Sequence, residues 1–532
     1  MLFQGKKRLE LKTVNLNNRV ENSARNAMVG IVAQCIQMIS TFVCRMIFVR
    51  CLNSEYLGVS GLFTNVLSML SVAELGVGSA ITFELYKVLA EDDQEQIASL
   101  MLLYRKAYHA IGIVIGICGL GCLPFIKLLV TTDTTISENI YILFLLYLAE
   151  VVVSYFFSYK QSIIEVAQQN YIVTIVDVFT GVIRNIIQCV ILLITHNFLL
   201  YLIVQVLLRV VFNIIISGIA DQLFPVIKRH DAKELPKEMK KRMFRNIRYV
   251  FVPNILGKLM SGTDNIIITA LGGLAVTGLN SNYSLIISTI ITFTTKIQRA
   301  ISASVGNINA VESDENKLNS FYEVFLIYFW MYFWCATCYI LLIQDTIEIF
   351  FGKQYVLPMK IGIITALNFM YQEHSTCRSA YHSTMGLFKY GRYVSMISNP
   401  VNIILSVFLG KMWGLFGVLL ATLLSRMMYG WYSARLTFKY GFKKSVCGYY
   451  VKVCIYWGTG AAILGITWLL CELPQIGNMV MDLIYRMVIC FSVPNALFFI
   501  AFSKTKEMGR VKTKILRYLR CHIKEFGKGE EL

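Results

Sequence analysis

The sequence predicts an all-α, polytopic integral membrane protein, and three observations carry that prediction. Of the 532 residues, 56% are hydrophobic and 15% charged, whereas a soluble domain holds about 45–50% apolar and about 25% charged residues. The mean hydropathy is +0.59. Apolar stretches of about 20 residues, the length that crosses a bilayer as a helix, recur along the whole chain. Lipid offers no partner to a backbone N–H or C=O, so such stretches must satisfy themselves as helices. The composition excludes a soluble globular enzyme.

Taken in order, residues 1–26 form a polar, basic segment expected in the cytoplasm. No small-residue cleavage site follows the first apolar stretch, so that stretch reads as an uncleaved span rather than a signal peptide. The opening MLFQG resembles a protease-site remnant and carries no weight. Spans are expected near 27–52, 57–86, 107–131, 139–158, 171–195 and 198–224, which make a first lobe over 27–224. A basic cytoplasmic linker, 225–248, separates it from spans near 249–271, 276–303, 321–344, 361–384, 393–410 and 412–433, a second lobe over 249–433. A cytoplasmic loop and two further spans, near 453–471 and 480–502, fill 434–502, and 503–532 is a basic cytoplasmic tail. The count is about fourteen transmembrane helices. Val59–Asn65 reads VSGLFTN and Val276–Asn282 reads VTGLNSN, a repeat at an offset of 217 residues near the start of spans two and eight. An offset that preserves an even number of spans relates two lobes by an axis along the membrane normal.

The net charge of +18 would suit nucleic acid if the basic residues formed one soluble stripe. Instead they sort by topology: with residues at span ends counted on the side they adjoin, 38 Lys and Arg fall on the side of the termini, 5 on the other side, and 7 deeper within spans. The positive-inside rule then places both termini in the cytoplasm and excludes a nucleic-acid partner. The 14 cysteines sit mostly in apolar runs and read as reduced, buried thiols. Cys335 and Cys338 form a CxxC inside one such run, where neither a thiolate nor zinc is welcome.

Charged groups at mid-membrane are costly and face a bundle interior, a partner or water. Here they are Arg45, Arg184, Arg209, Lys258, Arg378, Arg426 and Arg486, with Glu74, Glu84, Glu150, Asp177, Asp264 and Glu373. Asp177 and Arg184, two turns apart, read as a structural pair. Gln34, Gln37, Thr41 and Arg45 recur at spacings of three and four and make one wet stripe facing a cavity. Lys258 and Asp264, six residues apart, cannot share a face; Lys258 is expected at the cavity and Asp264 against a neighbouring helix. His374, Arg378 and His382 make a second polar stripe, and the guanidinium beside Cys377 argues against a metal there. No Walker loop, HExxH or nucleophile elbow occurs, so no catalytic residue is assigned. A carrier or lipid flippase remains, with a non-transporting scaffold as the less favoured class, since a scaffold has no reason to bear these charges.

Four segments carry a resemblance. AELGVGSAITFELYKVLAEDD at Ala73–Asp93, TDNIIITALGGLAVTGLNSNYSLI at Thr263–Ile286, FFGKQYVLP at Phe350–Pro358 and GLFKYGRYVSMISNPVNIILSVFLGKMWGLFGVLLATLLS at Gly386–Ser425 resemble the polysaccharide transporter, or Wzx-type oligosaccharide flippase, branch of the multidrug/oligosaccharidyl-lipid/polysaccharide (MOP) exporter superfamily. The resemblance covers about Asn22 to Phe502. It implies two six-helix lobes around a central cavity, two extra C-terminal helices, and a bacterial cytoplasmic membrane. It also implies alternating access carrying an undecaprenyl-pyrophosphate-linked oligosaccharide from the inner to the outer leaflet, with membrane lipids and polysaccharide polymerase machinery as candidate partners. A diphosphate in a low-dielectric cavity needs cations. Arg45, Lys258 and Arg378 are the expected binding groups, with Lys296 and Arg299 at the entry and Gln34, Gln37, Thr41, His374 and His382 as polar lining. Glu74, Asp264 and Glu373 are candidate sites for Na⁺ or H⁺ coupling; no other cofactor and no metal are expected. A lipid II flippase and a cation or drug antiporter of the MATE kind are the alternatives within the superfamily, and the acids keep the second one open.

Overall fold

Several helices begin on a side chain that caps the first turn. In the computed structural model, residues 16–514 and 516 are described, except 75–76, 131–134, 229–234, 236, 312, 386 and 474–476. The helices are α1 (Leu16–Cys51), α2 (Ser54–Leu70), α3 (Val77–Ala90), α4 (Gln94–Leu129), α5 (Ile140–Val166), α6 (Asn170–Thr195), α7 (Phe198–Leu223), α8 (Lys237–Val311), α9 (Asp314–Phe351), α10 (Met359–Thr384), α11 (Phe388–Trp413), α12 (Leu415–Leu436), α13 (Cys447–Glu472) and α14 (Met479–Phe502). Among the described residues, nine helices are long and apolar enough to cross a membrane. The protein is an all-α, multi-pass membrane protein.

The chain divides into two compact units, Met1–Gly278 and Leu279–Leu532. In the first, α1 packs on α6, and α5 packs on both α4 and α7. Short polar side chains cap the loop-facing ends. Asn53 accepts from the backbone N–H of Glu55 and Tyr56 at the start of α2, and Asp93 accepts from Glu95 and Gln96 at the start of α4. These side chains satisfy N–H groups that the first helical turn leaves orphaned. The backbone bond from Gln96 holds the Asp93 carboxyl below its ordinary range.

One expected span is broken, and two expected spans, 249–271 and 276–303, run on as one bent helix. The stretch read as one span over 57–86 is α2 and α3, separated by a 3₁₀ turn at Ser71–Glu74. α8 bends at Gly273, whose φ of 77° is a left-handed value that favours glycine. The repeated motif lies beside this bend. A Cβ on Gly278 would meet the carbonyl oxygen of Ser54 at 1.8 Å, and one on Gly58 would meet that of Leu274 at 2.0 Å. Hydrogen at both positions is what lets the backbones of α2 and α8 approach.

The second unit is organised around α9, whose apolar window is 67% buried, against 28% for α4. α10, α13 and α14 all pack on α9. The two further C-terminal helices therefore cover part of α9. Phe321, Phe325, Phe329 and Phe333, one turn apart, supply the contact; Phe325 stacks on Tyr456 at 5.4 Å, and Phe329 lies 6.2 Å from Phe498. Trp330 donates to Asn495 at 2.7 Å and Trp334 to the Cys490 carbonyl at 3.1 Å, which pins α14. Helical residues 506–514 return to the same helix: Lys514 and Arg510 pair with the buried Glu323 at 2.5 and 3.8 Å, and Lys452 of α13 pairs with Glu507.

Candidate functional site

The first unit holds its polar groups in three places. On α1, Gln37 donates to Thr41 at 3.3 Å and lies so close to Gly181 that a Cβ there would meet its Oε1 at 2.8 Å. Asn185 of α6 donates to Ser40 at 2.9 Å. Of the expected stripe, Gln37 thus lies at the α1–α6 contact, beside the Ser40 bond, while Gln34 and Thr41 are half-buried. Arg45, one turn further, is half-buried within electrostatic reach of Tyr147 and Tyr201. Tyr147 donates to Ser60 at 2.8 Å, and Glu150, which also acts on Tyr147, accepts from Gln205 at 2.7 Å.

At the 3₁₀ break, Glu74 accepts from Tyr108 of α4 at 2.7 Å and from Tyr155 of α5 at 2.9 Å. The break is what turns this carboxylate toward two hydroxyl donors. The sequence reading found the acid but not the tyrosines, which lie 34 and 81 residues away. It also missed Lys160, which falls beyond the expected end of its span. α5 runs on to Val166, and Lys160 pairs with Asp221 of α7 at 2.8 Å while donating to Ser217 at 2.7 Å. Asp177 is exposed and Arg184 half-buried, and no ion pair among the described residues joins them.

In the second unit, Glu373 is 2% exposed and accepts from Gln298 of α8 at 2.5 Å; Gln298 also donates to Tyr332 of α9 at 2.5 Å. Arg426 acts on the same carboxylate electrostatically and donates to the Asn368 carbonyl at 3.1 Å. On the neighbouring stripe of α10, His374 contacts the Tyr449 hydroxyl at 2.7 Å and His382 contacts Thr437 at 3.0 Å. Arg378 is 1% exposed, and its one hydrogen bond among the described residues is from Nη1 to Tyr449 at 3.5 Å. Arg486 of α14 pairs with Asp482 at 2.9 Å and Asp345 at 3.3 Å. Asp264 and Lys296 are half-buried. The side chains of Lys258 and Arg299 lie outside the described residues. Among the described residues, no cluster of three metal-ligating side chains occurs.

No protein-family profile and no curated protein matches the chain. Solved structures do. The inward closed conformation of the lipid II flippase MurJ aligns with a TM-score of 0.64 at 14% identity, covering 90% of this chain and 98% of that one. An inward-facing multidrug resistance MATE family transporter of the MOP superfamily aligns at 0.54 and 15% identity, covering 77% and 98%. A variant of the Vibrio cholerae MATE transporter VcmN aligns at 0.53 and 10% identity, covering 79% and 97%. The fold is the one these MOP-superfamily proteins share.

Proposed function

We propose that this chain is a flippase that carries an undecaprenyl-diphosphate-linked oligosaccharide from the cytoplasmic to the outer leaflet of a bacterial membrane by alternating access, with fourteen spans, two six-helix lobes and cytoplasmic termini. The observation that supports this reading best is the extent of the MurJ likeness. It covers 90% of the chain, where the MATE structures cover 77% and 79%. MurJ is described as a lipid II flippase, so a lipid-linked glycan is the substrate class carried over. Arg45, in the polar interior of the first unit, is the principal diphosphate ligand, because a guanidinium fork matches phosphate oxygens bidentately. Lys258, Lys296 and Arg299 supply further positive charge. Arg378 is enclosed and is given a different role below.

Glu74 and Glu373 support the second reading, a MATE-like antiporter, because each is a carboxylate held by neutral donors from neighbouring helices. In the flippase reading these acids, with Asp264, bind Na⁺ or H⁺ and reset the empty carrier. The test is transport of a fluorescent diphosphate-linked glycan in proteoliposomes. Arg45→Ala should abolish it at normal protein level and Arg45→Lys should keep part of it, because the charge survives and the fork does not. Full transport by Arg45→Ala removes that residue from the site. Export of organic cations without glycan transport selects the antiporter.

A further inference from the structure

We propose that the second unit contains a binding site for a small monovalent inorganic anion of chloride size, built by Arg378 and His374 of α10 and closed by Tyr449 of α13. The assignment begins with proton bookkeeping. A guanidinium only donates, so the Tyr449 hydroxyl oxygen accepts from Arg378 Nη1. The hydroxyl proton of Tyr449 then goes to its other partner, His374 Nε2, at 2.7 Å. Nε2 is the acceptor that the described residues offer to this proton, and we place the ring's own proton on Nδ1. That nitrogen, together with Arg378 Nε and Nη2, is buried and has no hydrogen-bond partner among the described residues. Arg378 is 1% and His374 7% exposed. Every unmatched atom in this group is a donor, and the group carries a full positive charge.

Among the described residues no carboxylate is paired with that charge. Glu373 lies five residues from Arg378, on a different face of α10, and is held by Gln298. Glu323 of α9 is taken by Lys514 and Arg510. On α10 the other titratable neighbours include His382, which is engaged with Thr437, Tyr371, whose hydroxyl donates to the Met427 carbonyl, and the Cys377 thiol. From α12, Arg435 adds positive charge, acting with Arg378 on Tyr450. A buried unpaired charge with orphaned donors is expensive, and water, which brings no charge, meets only the hydrogen bonds. The size limit comes from the walls. Phe325 lies 5.0 Å from the His374 ring and 5.6 Å from Tyr449, and Trp457 lies 6.3 Å from His374. An enclosed site of this kind excludes a lipid-linked headgroup, so this proposal stands apart from the transport reading.

The anion would tie α13 to α10, which makes thermal stability its readout through linkage. In purified full-length protein, the unfolding midpoint should rise saturably when gluconate is replaced by chloride at fixed ionic strength, and Arg378→Gln should lose that dependence. Because that variant is liable to fold poorly, a second measurement uses the wild type. Iodide should quench a saturable component of tryptophan fluorescence that chloride competes away and that Trp457→Phe lacks. A midpoint indifferent to chloride, or quenching that is linear, insensitive to chloride and unchanged in Trp457→Phe, overturns the proposal in favour of water as the only occupant.

Discussion

Lys160 and Arg378 occupy comparable helices and meet opposite fates. α5 packs on α4 and α7, as α10 packs on α9 and α12, and each carries a cation in its interior half. Lys160 finds Asp221 on α7 at 2.8 Å and is neutralised within the bundle. Arg378 finds, among the described residues, only the Tyr449 hydroxyl of α13. The same architecture therefore holds one cation as a structural pair and leaves the other with donors to spare. The difference lies in what covers the third long helix: α13 and α14 bury α9, while α4 stays largely open. Adding two helices allowed an unpaired charge to be fully enclosed.

The comparison breaks most sharply at the paired cation. Asp221→Asn should strand Lys160 and destabilise the protein by about 3 kcal/mol, the lower end for a broken buried pair, given side chains 16% and 20% exposed. Lys160→Met with Asp221→Leu should be near neutral, since apolar replacement of both partners removes the desolvation cost as well. Denaturation of the single and double variants measures both. If stranded cations recruit anions, Asp221→Asn alone should also gain a chloride-dependent midpoint that wild-type Lys160 lacks. A smaller effect is expected on the other side. Tyr449→Phe removes the hydroxyl between Arg378 and His374 and should cost about 1–2 kcal/mol, read as a lower unfolding midpoint.

The smallest effect concerns the tail. Burial raises the Glu507 carboxyl, but the hydrogen bond from Lys452 and the neighbouring positive charges outweigh it, so the group ends below its ordinary value of 4.5. A depressed carboxylate contributes stability that is fully present above the unfolded value and is lost as pH falls through the lower folded value. Docking of residues 506–514 should therefore hold above about pH 5 and weaken below about 4.5, with proteolysis of the tail as the readout. Glu507→Gln should abolish that pH dependence.

Much of this was legible in the sequence because a membrane imposes one rule, self-satisfied helices, on every span. Hydropathy alone located the apolar helices, and charged residues within them, such as Glu74, Arg378 and Glu373, stood out by their cost. The breaks were less legible. Gly273 falls between the expected spans 249–271 and 276–303, but only its backbone angle marks a bend in one helix rather than a loop. The 3₁₀ turn at Ser71–Glu74 reads as continuous hydrophobic sequence. Partners were not legible at all, because Glu74 with Tyr155 and Arg378 with Tyr449 are joined by tertiary packing over 81 and 71 residues. Gln37 marks a further limit. Helical periodicity puts Gln34, Gln37, Thr41 and Arg45 on one face, but periodicity does not say whether a polar stripe faces a cavity or a neighbouring helix.

Charge selectivity of transport tests the functional account most directly. Proteoliposomes would be given one glycan on two carriers, a polyprenyl diphosphate and the corresponding neutral polyprenol, at several imposed potentials. The account predicts that only the diphosphate is moved, and that outward movement speeds up as the inside becomes more negative, on the scale of about 2.3 kcal/mol per charge per 100 mV. Equal movement of the neutral carrier would contradict it, since the positive interior would then play no part in recognising the cargo.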